Sequence, residues 1–198
     1  MLSSVAVLAV ALAVQASGPT PDKAVLIERV LAVVDRRPVL LSEVRLVERL
    51  REVDQRAALD LLIDELLMYA EARRFAQARP SPAEEAAATA SLVRRHVEGV
   101  SQAELRRVAL RQATIVKYIG MRLRPLVRVS DEALLRAYED AQRERAAGTA
   151  GSTFAAAADE IRERLTQRAL DARVEEWTRR LRESGKVDYP EERDAPGP

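Results

Sequence analysis

The chain has 198 residues, 47% of them apolar and only 4% aromatic, with a formal net charge of +1. That length suits one domain, or one domain with tails, and the near balance of charge argues against a general nucleic-acid coat protein. There is no cysteine, which excludes disulfides, thiol nucleophiles, cysteine-based zinc sites and lipoprotein attachment. Lysine occurs only as Lys23, Lys117 and Lys186, and codon usage in a GC-rich genome accounts for the excess of arginine more simply than selection for its chemistry.

In chain order the first feature is Val5 to Val14, VAVLAVALAV. It has the length of a signal-peptide core and falls short of the ~20 residues that span a bilayer. Cleavage is predicted after Ala16, with Ala11-x-Ala13 as a second option, although Met1 to Ser4 carries no basic residue. Residues 1–16 are therefore read as a signal peptide and 17–23 as a flexible mature terminus. Next comes IERVLAVVDRRPVLLSEV, residues 27–44. An apolar run to Val34 alternates at first and then stays apolar. A polar turn, Asp35-Arg36-Arg37, and a second run from Pro38 to Leu41 follow. Ser42, a helix-capping type, ends the pattern, which predicts a β-hairpin feeding a helix.

The remainder predicts helices. The first runs from Ser42 to about Asp54, with Val44, Leu46, Val47 and Leu50 on one face. The second runs from about Arg56 to Ala78 and is apolar nearly all round, which predicts burial on several sides. Ser81, Pro82, Glu84 and Glu85 start an Ala-rich third helix, to about His96, that offers little apolar surface and should pack weakly. Ser101 and Glu104 form a capping box for a fourth helix that Pro125 ends at about Arg124. Ser130 caps a fifth helix reaching Gly148. After GTAGST, residues 148–153, a long sixth helix spans Phe154 to Ser184. Its apolar stripe is Phe154, Ala158, Ile161, Leu165, Leu170, Val174, Trp177 and Leu181. Gly185 closes it, Val187 to Tyr189 reads as a short strand placed to extend the hairpin, and residues 190–198 read as a disordered tail.

This order of elements resembles the N-terminal chaperone module of the SurA family of periplasmic proteins, relatives of the PrsA foldases. IERVLAVVDRRPVLLSEV resembles the family's opening hairpin. ALDLLIDELLMYAEARRFAQARPSPAEEAAA resembles its long second helix, polar turn and acidic-started third helix. SQAELRRVALRQATIVKYIGMRLRPLVRVSDEAL resembles its basic fourth helix and the start of the next. The likeness covers Ala24 to Tyr138 and returns in the last helix. It implies a mainly α fold: a helical chaperone module with a small N-terminal hairpin and a long C-terminal helix packing back on it, residues 24–189 forming one domain. Family members usually carry parvulin prolyl isomerase domains between the fifth and last helices. Here 148–153 stands in that place, too short for a domain, so isomerase activity is not expected to carry over.

Candidate sites for chemistry are sparse. His96 is the only histidine, and beside Arg94, Arg95 and Glu98 it reads as a solvated loop-end residue. Asp60 with Asp64, and Asp159 with Glu163, lie one helical turn apart and could in principle do acid–base work, but such pairs usually form a wet face. No metal-ligand spacing, phosphate loop or nucleophile elbow is present. No catalytic residue, metal or cofactor is therefore expected. The basic run Arg106, Arg107, Arg111, Lys117, Arg122, Arg124 and Arg128 could meet phosphates, yet pairing with acids of the C-terminal third is the simpler reading. Met68, Tyr69, Phe75, Tyr118, Met121, Tyr138 and Trp177 are adaptable apolar side chains that could line a groove for unfolded peptides, or could equally be core.

The expectation is thus an exported, periplasmic, ATP-independent chaperone-like protein without enzymatic chemistry. Its partners would be unfolded polypeptides or outer-membrane protein clients. Nucleic acid and stable membrane insertion after signal cleavage are not expected, and a homodimer is possible. The alternative is an envelope scaffold holding one specific partner. A wide apolar groove favours the first reading and a closed apolar core the second.

Overall fold

The computed structural model describes residues 28–94, 99–144 and 153–190. The signal peptide and mature terminus read in residues 1–23, His96, nearly all of 148–153 and the tail from 191 onward lie outside those residues. Among the described residues, six α-helices accompany one small antiparallel sheet.

Strands β1 (Val30–Val34) and β2 (Arg37–Leu40) form the expected hairpin. Its turn is tighter than the sequence suggested. Only Asp35 and Arg36 connect the strands, with φ of 46° and 71°, the left-handed pair that a two-residue hairpin turn of matching twist requires. The register skips Leu31 between Val30 and Ala32. That bulge lets Leu31 and Ala32 both face the core, which explains why the apolar run stops alternating. Pro38 is tolerated because β2 is an edge strand in the order β2-β1-β3, where a missing donor breaks no ladder.

Helix α1 (Leu41–Arg51) starts one residue before Ser42. Ser42 is not its cap. Its N–H and hydroxyl both donate to the Glu28 carboxylate, while the Glu43 carboxylate accepts from the Leu40 N–H at 3.3 Å. α1 ends earlier than expected, with Glu52 in the left-handed region. Asp54 belongs to the next helix, accepting from the Ala57 N–H at 2.8 Å as the N-cap of α2 (Gln55–Ala72).

α2 stops at Ala72 rather than Ala78. Phe75 turns extended so that its ring can reach Tyr118, and only a single tight turn, Ala76–Ala78, follows. α3 (Pro82–Val93) starts at the expected Ser81 cap, which Glu84 completes as a capping box, but it does not pack weakly. Its small alanines let it lie along α4 (Gln102–Tyr118). There Leu92 joins Leu46, Leu50, Leu105, Val108 and Ala109 in one apolar cluster. α4 ends at Tyr118. The chain then widens, the Arg124 N–H reaching back five residues to the Ile119 carbonyl, before a tight turn around Pro125. Proline has no N–H and crowds the carbonyl four residues earlier, so the expected run to Arg124 cannot stay α-helical.

α5 (Asp131–Glu144) and α6 (Phe154–Ser184) pack on each other, and α6 continues onto α2. β3 (Val187–Asp188) then pairs with β1 antiparallel, Val34 opposite Val187. The Asp35 N–H donates to the Lys186 carbonyl, and the Lys186 N–H to the Asp35 carboxylate, both at 2.9 Å. Gly185 makes this return possible. A Cβ there would come 2.7 Å from Leu67 Cδ2, inside the packing distance of real side chains. The core under the sheet gathers Leu31, Val34, Val39, Val44, Val47, Leu62, Ile63 and Leu66, with Leu181 and Val187 against it.

Candidate functional site

α2 lies between α1, α4 and α6, yet these neighbours do not cover all of it. Leu61, Asp64, Glu65 and Met68 recur at three- and four-residue spacing, so they form one stripe along the helix. Over that stripe the structure leaves an open cleft of about 800 Å³. Val47, Leu50 and Arg51 of α1 bound it at one end. Val108, Arg111, Gln112, Ile115 and Val116 of α4 form one wall, and Val174, Glu175, Thr178, Arg179, Arg182 and Glu183 of α6 the other. Two large apolar side chains stand exposed in it, Leu61 at 45% and Val116 at 67%. An exposed apolar pair beside a concave apolar floor marks an interaction surface more strongly than a scattered surface leucine does.

A largely buried ion pair interrupts the apolar floor. Arg111 and Glu65 form an ion pair with side chains only 11% and 15% exposed, and Gln112 Nε2 donates to the second Glu65 oxygen at 3.2 Å. At the rim the Arg182 guanidinium donates to the Asp64 carboxylate, to Asp60 Oδ1 at 3.5 Å and to the Asp60 carbonyl at 2.9 Å. The Asp64 hydrogen bond, above all, pushes the Arg182 pKa further up. The Asp60–Asp64 pair weighed above for acid–base work is therefore a clamp holding α6 on α2. Sequence reasoning missed the pairing of Arg111 with Glu65 and the part played by Arg182. Acids in an otherwise apolar α2 were the one visible signal, and periodicity does not say which arginine meets them.

The seven candidate groove residues divide. Six of them, Met68, Tyr69, Phe75, Tyr118, Met121 and Trp177, gather in one cluster around Ala72, Ala78 and Ile115. Tyr118 stacks on Trp177 with centroids 4.9 Å apart, and Phe75 meets Tyr118 at 5.3 Å. Tyr118 and Trp177 are buried, so they serve as core and offer no face to a ligand. Of the seven only Met68 lines the cleft. Tyr138 sits apart, edge-on to Phe154 at 5.3 Å.

The basic run on and just after α4 is largely spent on internal pairs, and most of its partners are not in the C-terminal third. Arg106 pairs with Glu85 at 2.8 Å and Lys117 with Glu84 at 2.7 Å, both across the α3–α4 contact. Arg111 takes Glu65 of α2, and among the described residues only Arg124 of this run pairs with a C-terminal acid, Glu163, at 3.3 Å. Arg122 lies over the Phe75 ring, 5.3 Å from its centroid. Lys117, followed by the Ser81 backbone and hydroxyl, brings the Glu84 pKa down to about 2. A carboxylate whose pKa is lower in the folded protein stabilises above its unfolded pKa, and that contribution disappears as pH falls through the folded value. The Glu84 contribution should thus be whole above pH 4.5 and fade toward about pH 2. Carboxyl NMR titration should place Glu84 well below the ordinary range and find it partly restored in Lys117→Met. An ordinary Glu84 titration in the wild-type protein would contradict the pairing.

Among the described residues no group of three or more His, Cys, Asp or Glu could hold a metal ion. No described helix is long and apolar enough to cross a membrane. Comparison with family models, curated proteins and solved structures finds no match for this chain.

Proposed function

We propose that this chain is an exported, ATP-independent chaperone-like protein of the SurA type. It would hold unfolded or extended stretches of outer-membrane or secreted clients in the periplasm, without isomerase chemistry. The observation that carries this reading is the open cleft over α2, with exposed Leu61 and Val116 above an apolar floor. Binding energy would come from covering those side chains, at roughly 25 cal/mol per Å² of apolar surface, so weak and reversible association is expected. The layout likeness to the SurA module supports the same reading, and the apparent signal peptide supports the compartment.

Light scattering by a refolding β-barrel client tests it. Equimolar protein should slow aggregation. Leu61→Asp combined with Val116→Asp should remove that effect without unfolding the protein, because both side chains are already exposed. If the double variant protects the client as well as wild type does, the cleft is not the binding surface. If one partner alone is held and unfolded clients are ignored, the scaffold reading replaces the chaperone.

A further inference from the structure

The cleft also dictates the conformation and charge of what it takes. We propose that its occupant binds as an amphipathic helix of about three turns, its apolar face toward α2 and α4 and a flank of alternating charge toward α6. This rests on the reading of the cleft as a polypeptide-binding site.

Length is the first argument. At about 1.5 Å per residue, the wall from Val174 to Glu183 is about 14 Å long and that from Val108 to Val116 about 12 Å. Such a trough takes about nine residues of helix, but only about four of extended chain.

Hydrogen bonding is the second. All the walls are helices, whose backbone groups are already paired among themselves. The polar side chains along α2, with their partners and Thr178, are committed as well. Glu65 holds Arg111 and Gln112. The Thr178 hydroxyl donates to the Val174 carbonyl at 2.9 Å. Arg182 holds Asp60 and Asp64. An extended segment would leave the N–H and C=O groups that face α2 and α4 without partners, whereas a helix satisfies them internally.

Charge complementarity is the third. Glu175, Arg179 and Glu183 stand at four-residue spacing on the α6 wall. Among the described residues none of the three is in an ion pair. A helix lying alongside meets such a row with one residue per turn, as flanking charges do in paired helices. Basic residues opposite Glu175 and Glu183, and an acid opposite Arg179, complete it. The α4 wall offers Val116 instead and takes apolar side chains.

Three fluorescein-labelled fifteen-residue peptides, measured by anisotropy with the full chain, test this. One is a helix former with an apolar stripe and a Lys–Glu–Lys flank at four-residue spacing. The second reverses the flank to Glu–Lys–Glu. The third keeps the first composition but carries two interior D-residues that block the helix. The first should bind and gain helical circular dichroism on binding. The second should bind about tenfold more weakly, three rim pairs being replaced by repulsion. The E175K/E183K protein should invert that preference, and both positions are exposed enough to change without unfolding. If the helix-blocked peptide binds as tightly, or binding brings no helix, the helical occupant is overturned while the cleft survives as a polypeptide site, provided that Leu61→Asp still weakens binding. Equal affinity for both flanks on both proteins overturns the charge pattern. If no peptide binds at all, both this inference and the reading beneath it fail.

Discussion

Trp177→Ala is expected to lower stability by about 3–5 kcal/mol, the range for removing a large aromatic from a packed core. Trp177 is buried on α6 and stacked on Tyr118 of α4. Its cluster also takes in Ala72 at the end of α2 and Leu181 one turn further along α6. It is therefore the point where the last helix is joined to the earlier ones, and its loss would leave a cavity that three separate helices must collapse to fill. Typical domains have net stabilities of about 5–15 kcal/mol, so the variant should sit near the edge of folding. Phe154→Ala is the control: Phe154 belongs to the same stripe in sequence but is more than a third exposed, and its loss should matter far less. Urea denaturation followed by far-ultraviolet circular dichroism measures both. A change below about 1 kcal/mol for Trp177→Ala would mean that α6 is not seated on α2 and α4.

Arg111→Met should destabilise by about 2–4 kcal/mol. The cost comes from what the substitution leaves behind, a Glu65 carboxylate in a mostly apolar floor with Gln112 as its remaining partner. Breaking a buried ion pair by removing one member typically costs ~3–5 kcal/mol, and access to water through the open cleft reduces that. Replacing both members, Arg111→Met with Glu65→Leu, should recover most of the loss, since an apolar pair of similar size needs no compensation. A double-mutant cycle separates the pair from its surroundings. If the double variant is as unstable as the sum of the singles, the two side chains do not act together.

The elements that could be read from the chain are those set by local chemistry. Alternation around a polar turn gave the hairpin, and the Ser81 cap and the Ser101–Glu104 box gave two helix starts that the structure reproduces. Val187 was legible as a third strand because Gly185 stops α6 just short of it. The errors lie where distant residues decide. α2 ends six residues early because the Phe75 ring is drawn to Tyr118 on another helix. Asp54 was placed on the helix it follows instead of the one it caps. The Ala-rich α3 looked weakly held because its anchors, Arg106 and Lys117, are on another helix, α4. The cleft itself was only half visible. Met68 was chosen for its flexibility, whereas Leu61 and Val116 look in sequence like ordinary core positions of amphipathic helices. Their exposure depends on how far α4 and α6 stand apart over α2, which no local pattern encodes.

Site-specific photo-crosslinking to an unfolded client tests the cleft as the binding surface most directly. A benzophenone side chain placed at Val116, in the cleft, is compared with one at Leu135, also apolar and exposed but on α5. Strong crosslinks from Val116 that an excess of unlabelled client abolishes, with little from Leu135, are the predicted result. Crosslinking from Leu135 that equals or exceeds that from Val116 would contradict the account.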